Sequence, residues 1–137
     1  MLKFSIKTIH HSEQRYNTVG DYYTDSNGHT SISVSTMSSS RRELLVAVHE
    51  IVESYLLKRA GVFDQAIDDF DFDFEKKRGE GDVSEPGDDP NAPYYSQHQI
   101  ATKVEKLIAT ILLVDWDDYT KEVNQILSEY NSKQGQI

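Results

Sequence analysis

Residues 44–57, with the sequence LLVAVHEIVESYLL, constrain the fold of this chain more than any other segment. Apolar residues recur there at spacings of three and four, which is typical of an amphipathic α-helix with one face turned towards a core. They are Leu44, Leu45, Val48, Ile51, Val52, Tyr55 and Leu56. We therefore expect the rest of the chain to cover one side of this helix.

Three polar residues lie within this segment: His49, Glu50 and Glu53. His49 and Glu53 are four residues apart, so their side chains lie one above the other on the same face of a helix. An imidazole and a carboxylate in this relation can hold a divalent metal ion. Glu50 projects about 100° further around the helix. The spacing equals that of the zinc-protease motif His-Glu-x-x-His, with glutamate in place of the second histidine.

A tightly held metal ion needs a further ligand, and His98 is the best candidate. It lies near the start of a predicted helix and directly after a loop rich in glycine and proline. Two histidines and one carboxylate form a ligand set of catalytic zinc, and they also form the facial triad of non-haem iron. The predicted cofactor is therefore Zn2+, with Mn2+ or Fe2+ as alternatives. Zinc would lower the pKa of a bound water towards about 7, and Glu50 is placed to accept its proton.

Other interpretations of these residues stay open. His49 and Glu53 could form a simple hydrogen-bonded pair without a metal ion. The acidic residues Glu85, Asp88 and Asp89 could ligate a cation or form a solvated turn. Asp88 or Asp89 could also orient a ligating histidine by accepting the hydrogen of its other ring nitrogen.

The remaining pattern predicts an α+β fold in one domain, residues 1–137, with strands in residues 1–37 and a zincin-like core helix. Alternation predicts antiparallel strands at 3–9, 16–25 and 29–37, and Asn27-Gly28 indicates a tight hairpin with two positive φ angles. Helices are predicted at 41–60, 62–77, 94–113 and 115–130, with a loop at 79–93 and a frayed polar tail from 131. Ser40 and Glu43 would cap the first helix, and Gly61 would end it. The alternation DFDFDF at 69–74 could instead form a strand.

The third helix is predicted to face the core with a stripe of large apolar residues. They are Ile100, Val104, Leu107, Ile108, Ile111 and Leu112. The strand at 29–37, beside the metal helix, is expected to offer its edge to an extended peptide. The site would then lie between the first and third helices, under the loop at 79–93.

Composition narrows the function classes. The net charge of −9 argues against binding to nucleic acid and to anionic membranes, because both need a basic surface. Cysteine is absent, which excludes thiolate ligands and a cysteine nucleophile. The sequence shows no signal peptide and no apolar run of membrane-spanning length, so we expect a cytoplasmic protein.

A resemblance to a known family rests on four segments: TVGDYYTD, VAVHEIVE, EPGDDPNAPYYSQHQIAT and LLVDWDDY. They resemble a family of small uncharacterised proteins encoded by phages and prophages, over roughly residues 16–119. The resemblance implies a phage or prophage origin, the cytoplasm of a bacterial host, and a shared site. The site residues it implies are His49, Glu53 and His98 as ligands, with Glu50 as base. Similar sequences often carry histidine at the position of Tyr95.

Three functions are compatible with these observations. The first is a minimal zincin-like zinc hydrolase that acts on an unknown peptide or protein. The second is a non-enzymatic phage accessory or anti-defence protein, in which the same residues hold a structural metal ion or none. The third is a helical nucleotide pyrophosphohydrolase, in which Glu50 and Glu53 bind magnesium. That site would need a Glu-x-x-Asp pair on a later helix, but Glu105 is followed by Ile108.

Overall fold

The computed structural model describes the backbone of residues 1–134 and the side chains of residues 1–130. Its fold is α+β, as predicted, with a three-stranded sheet followed by four helices in the described residues. The strands are β1 (Lys3–Ile9), β2 (Gly20–Thr24) and β3 (His29–Ser35). The helices are α1 (Ser40–Ala60), α2 (Asp64–Lys77), α3 (Tyr95–Ile111) and α4 (Trp116–Gln134).

β3 is the central strand of the sheet, whose order is β1-β3-β2. The predicted hairpin is confirmed, because β2 pairs with β3 in antiparallel orientation with Tyr22 opposite Ile32. β1 differs from the prediction of antiparallel strands, since it pairs with β3 in parallel with Ile6 opposite Ile32. The connection from β1 to β2 crosses to the far edge of β3, and this crossover makes the parallel pairing possible. Both edges of β3 are therefore paired, so the prediction that this strand offers an edge to a peptide is wrong.

The hairpin turn and the start of β2 depart from prediction for local reasons. Only Gly28 has a positive φ, of 80°, while Asn27 does not. The carboxylate of Asp25 accepts the backbone N–H groups of Asn27 and His29, which closes a four-residue connection in place of a two-residue turn. Residues 16–19 lie outside the strand because the Asn17 amide donates to the carbonyl of Leu127 in α4.

The bounds of α1 agree with prediction to within one residue. Its N-cap is Ser39 instead of Ser40, and the Ser39 side chain accepts the N–H of Arg42. Glu43 closes the same turn by accepting the N–H of Met37. Gly61 ends the helix with a φ of 72°, the left-handed conformation that the sequence predicted.

The later helices also follow the predicted pattern. α2 is helical through residues 69–74, so the strand alternative for DFDFDF is wrong. Asp115 accepts the N–H of Asp118 at the start of α4, as a capping residue does. α4 continues to residue 134, so the predicted fraying is wrong for residues 131–134. Residues 135–137 of the predicted tail lie outside the described residues. In the described part of the chain, no helix combines the length and apolar character needed to cross a membrane.

α1 is the central helix, because it packs against the sheet on one side and α3 on the other. The main core joins β3, α1 and α4 through these buried residues: Ile32, Val34, Leu45, Val46, Ala47, Tyr119, Val123 and Leu127. A smaller cluster of Leu57, Ile67, Ala92 and Tyr94 lies near the start of α3. The site described below is formed by residues on the α1 and α3 helices.

The predicted apolar stripe of α3 is largely wrong. Ile100, Leu107 and Ile111 are 46%, 60% and 66% exposed. Ile108 and Leu112 are partly buried against the main core. The buried face of α3 consists of His98, Ala101, Glu105 and Ala109. Small alanines let α3 approach α1 closely, and the two polar residues are turned inwards because they find polar partners there.

Candidate metal centre

Three predicted ligands converge between α1 and α3. Nε2 of His49 lies 2.9 Å from Oε2 of Glu53 and 3.1 Å from Nδ1 of His98. Nδ1 of His98 lies 2.9 Å from the same Glu53 oxygen. All three residues are at most 8% exposed. One donor atom from each side chain therefore points at the same small space, and together they could hold a metal ion.

The size of this triangle fits a divalent metal ion. Metal–ligand bonds of about 2.0–2.2 Å give ligand–ligand separations of about 3.0 Å for an octahedral face and about 3.3 Å for a tetrahedral one. The observed separations of 2.9, 2.9 and 3.1 Å lie at or just below this range. A metal ion would therefore need only a small expansion of the site.

A buried carboxylate fixes the orientation of His49. Nδ1 of His49 donates to Oε1 of Glu105 at 2.8 Å. Oε2 of Glu105 in turn accepts the hydroxyl of Tyr119 at 2.6 Å. With the proton of the imidazole held on Nδ1, the lone pair of Nε2 points at Glu53 and His98. A carboxylate behind a histidine in this way is the usual support of a metal-ligating imidazole.

The imidazole of His98 has two differently surrounded edges. We call the side with Nδ1, which faces His49 and Glu53, the inner edge. On the outer edge, Nε2 lies 3.2 Å from Oε2 of Glu85 and 3.2 Å from Oδ1 of Asp88. Neither contact has hydrogen-bond geometry, so buried Nε2 lacks a hydrogen-bond partner among the described residues.

The loop that carries Glu85 and Asp88 packs its backbone directly on the His98 ring. A short 3-10 turn at Pro86–Asp88 forms this part of the loop. A Cβ atom placed on Gly87 would lie 2.5 Å from the ring of His98. Glycine is therefore required at this point by close approach of the chain to the imidazole.

Carboxylates outnumber the positive charges in the site. Burial lowers the pKa of His49, but hydrogen bonds with Glu105 and Glu53 outweigh it and hold the pKa well above the usual value. Burial likewise lowers the pKa of His98, and the surrounding carboxylates of Asp88, Glu53 and Glu85 raise it to about 12. The centre thus demands positive charge between its ligands, which protons supply in the absence of a metal ion and a divalent cation supplies in its presence.

Glu50 lines a cavity of about 440 Å³ together with all three predicted ligands. β2 approaches α1 closely here, since a Cβ atom on Gly20 would lie 2.7 Å from Oε1 of Glu50. Burial and the charge of Glu53 raise the pKa of Glu50 well above that of an ordinary glutamate. Its carboxyl group therefore holds a proton more readily than the carboxyl group of an exposed glutamate does.

Two further polar groups line the same cavity. Asp71 is buried and accepts the hydroxyl groups of Tyr16 and Tyr94. Burial raises the pKa of Asp71 to about 6. The buried hydroxyl of Tyr22 has no hydrogen-bond partner within the described part of the chain, so it remains able to donate to a molecule in the cavity.

The site contains residues that the sequence interpretation missed. His49, Glu53 and His98 are brought together, and Glu50 lies beside them, while their roles stay predictions. Glu85 and Asp88 face the outer edge of His98, and Asp89 instead accepts the N–H of Asn91. Glu105 and Tyr119 were missed, although Glu105 stands between two alanines in the series Ala101, Glu105 and Ala109, a spacing of four that marks a helix face.

Tyr95, where similar sequences often carry histidine, does not contribute a ligand. It is half-buried against the small cluster near the start of α3. It is also absent from the described residues that line the cavity. Position 95 therefore adds no side chain to the three predicted ligands.

Comparison of the chain with protein-family models, with curated proteins and with solved structures gives no match. The function therefore has to be inferred from the chemistry of the site itself. The strongest evidence is the convergence of three buried donor atoms, one of which has its orientation fixed by Glu105.

Proposed function

We propose that this chain is a zinc-dependent hydrolase of phage or prophage origin that works in the cytoplasm of a bacterial host. His49, Glu53 and His98 are the ligands, with Mn2+ or Fe2+ as alternative metals. The observation that carries the proposal is the triangle of Nε2 of His49, Oε2 of Glu53 and Nδ1 of His98, with edges of 2.9–3.1 Å. Three converging acceptor atoms of this kind repel one another unless a cation or protons lie between them.

Glu50 is the general base in this proposal. When bound, the metal ion lowers the pKa of a water molecule and polarises a carbonyl group. The Glu50 carboxylate would accept a proton from the attacking water and later donate it to the leaving group, so that one water is consumed and one amide or ester bond is broken. The raised pKa of Glu50 makes its carboxylate a stronger base than that of an ordinary glutamate, which supports this role.

The cavity supports a small substrate better than an extended peptide. Its volume of about 440 Å³ is in the range of small-molecule sites. The free edge of the sheet beside it belongs to β2, where a peptide would have to pair. Two of its N–H groups are already used, since that of Tyr22 donates to Asp21 and that of Thr24 to Asp64. A small amide or ester, or the end of a peptide, therefore suits the site.

The first test measures the metal content of purified protein by elemental mass spectrometry. We expect at least one zinc ion per chain in the wild type, and loss of the zinc between α1 and α3 in His98→Ala. Thermal unfolding of the variant would show whether it is still folded. Absence of metal from the wild type after incubation with zinc would contradict the proposal.

The second test separates chemistry from metal binding. Glu50→Gln should keep the zinc but abolish hydrolysis of any amide or ester that a substrate screen identifies. Glu129→Gln, at an exposed position of α4, removes the same charge far from the site and is the matched control. Full activity in Glu50→Gln would rule out Glu50 as the base.

A non-enzymatic accessory protein is the second candidate, and the burial of the ligands favours it. His49, Glu53 and His98 are at most 8% exposed, as in structural metal sites. In that case Glu50→Gln would leave every function unchanged, while His98→Ala would lower stability together with metal content. The magnesium pyrophosphohydrolase lacks such support, because Glu105 is engaged with His49 and Tyr119 instead of a second carboxylate pair.

A further inference from the structure

The outer edge of His98 has the features of a second cation site. Glu85, Asp88 and His98 each offer one ligand atom, and these atoms lie within 4.8 Å of one another. This group shares His98 with the centre between α1 and α3, but it uses the opposite ring nitrogen. The proposed hydrolase needs only the inner edge, so these two carboxylates have no role in it as ligands.

The independent sign of a ligand is the lack of a well-directed hydrogen bond at Nε2, which has the two carboxylates at ion-pair distance only. His98 is only 6% exposed, and its Nε2 has no hydrogen-bond partner among the described residues. A buried polar atom without a partner is costly, so a missing ion is one of its ordinary explanations. Nε2 lies 3.2 Å from Oε2 of Glu85 and 3.2 Å from Oδ1 of Asp88.

The distances match those between ligands of one metal ion. Bonds of about 2.0–2.2 Å at angles of 90–109° place two ligands about 3.0–3.5 Å apart. The separations of 3.2 Å from Nε2 to Glu85 and to Asp88 lie within this range. The side chains of Glu85 and Asp88 are 45% and 59% exposed, so they can adjust and leave positions for water.

We propose that Glu85, Asp88 and Nε2 of His98 bind a second divalent cation, so that the His98 imidazole bridges two metal ions. One nitrogen and two carboxylate oxygens suit zinc or manganese. Both ring nitrogens then act as ligands, and the remaining N–H proton is released to solvent. The outer ion would be held more weakly, because two of its ligands come from a loop.

Metal stoichiometry measured by equilibrium dialysis against zinc tests this site. We expect two zinc ions per wild-type chain and one in the double variant Glu85→Gln/Asp88→Asn, which lies on the surface and should fold normally. The matched control is Asp82→Asn/Asp89→Asn, with the same charge change in the same loop, and it should keep two. His98→Ala should lose both ions.

The outcomes distinguish this site from the proposed hydrolase centre. A single ion that is retained in Glu85→Gln/Asp88→Asn overturns the second site and leaves the first intact. A single ion that is lost in this variant but retained in His49→Ala supports the outer site and contradicts the inner one. Absence of zinc from the wild type overturns both, and two ions in the double variant overturn the outer site alone.

Discussion

The two edges of the His98 ring differ in how their carboxylates are held. On the inner edge, Glu53 lies on α1, is 5% exposed and contacts both imidazoles. On the outer edge, Glu85 and Asp88 lie on a loop, and their side chains are about half exposed. The same imidazole therefore faces a buried carboxylate on a helix at one edge and solvent-exposed carboxylates on a loop at the other.

Because of this difference, we expect a metal ion to bind more tightly at the inner edge and to exchange faster at the outer edge. Ligands that helices hold in place lose little conformational entropy on binding, so the inner site should bind tightly and select for geometry. Loop ligands must be ordered when a cation binds, and water competes with the cation for them. The inner edge is thus suited to a resident metal ion and the outer edge to one that comes and goes.

The largest expected effect comes from removing one carboxylate on each edge. Glu53→Gln should weaken binding of the first zinc ion by more than about 100-fold, because a direct ligand is lost and such losses exceed those of supporting residues. Glu85→Gln should change it by less than about tenfold. Competition with a chromophoric chelator measures both affinities. Equal losses in the two variants would contradict the distinction between the edges.

Asp71 accepts the hydroxyl of Tyr94 at the start of α3, on the side of the site where the loop lies. The pH dependence of the free energy of unfolding tests how much this contact stabilises the protein. Burial raises the pKa of Asp71 to about 6, above the 3.8 of an unburied aspartate. The folded state therefore favours the protonated carboxyl group. The contribution of this group to the free energy of unfolding is complete below about pH 4 and is lost as the pH rises through 6. The free energy of unfolding of the wild type should fall by about 2 kcal/mol relative to Asp71→Asn between pH 4 and 7.

Denaturant unfolding of both proteins at several pH values measures this difference. The asparagine retains one carbonyl oxygen, whereas Tyr16 and Tyr94 donate to different oxygens of Asp71. Because the loss of one acceptor does not depend on pH, the change in the stability difference between pH 4 and 7 isolates the charge. Parallel stability profiles for the two proteins would mean that Asp71 ionises as it does in the unfolded chain.

A smaller effect than that of Glu53→Gln is expected for the carboxylate behind His49. Glu105→Gln keeps a hydrogen-bond acceptor for Nδ1 but removes the charge, so zinc affinity should fall by about tenfold. Tyr119→Phe, which removes only the hydroxyl that orients Glu105, should have a still smaller effect. Isothermal titration with zinc measures both changes. An affinity in Glu105→Gln equal to that of the wild type would show that Glu105 supports the helix packing alone.

The sequence predicted the elements and the first ligands because those depend on local spacing. His49 and Glu53 share a face of any helix. Asp115 marks the start of a helix through its side-chain carboxylate, and Gly61 marks the end of one through its left-handed backbone. Local spacing does not predict which face of α3 is buried. Its large residues Ile100, Leu107 and Ile111 dominate the pattern, yet the alanines and Glu105 are buried, since helix orientation is set by close packing and by polar partners on α1.

The supporting residues were missed for a related reason. Glu105 contacts His49 across 56 positions of sequence, and Tyr119 reaches Glu105 from another helix. Such contacts depend on the rotation of each helix about its axis, which periodicity does not fix when apolar residues surround the helix. The parallel pairing of β1 also depends on a crossover whose direction is not encoded in strand alternation.

The contact between Gly87 and the His98 ring limits how this loop can vary. Surface loops rich in acids, glycine and proline usually tolerate substitutions and changes of length. Here even a methyl group at position 87 would meet the imidazole. The ten residues between Gly87 and His98 must also span a fixed gap, so an insertion among them would shift the turn off the ring. Within a segment that has the composition of a spacer, this one position is thus as restricted as a residue in the interior of the protein.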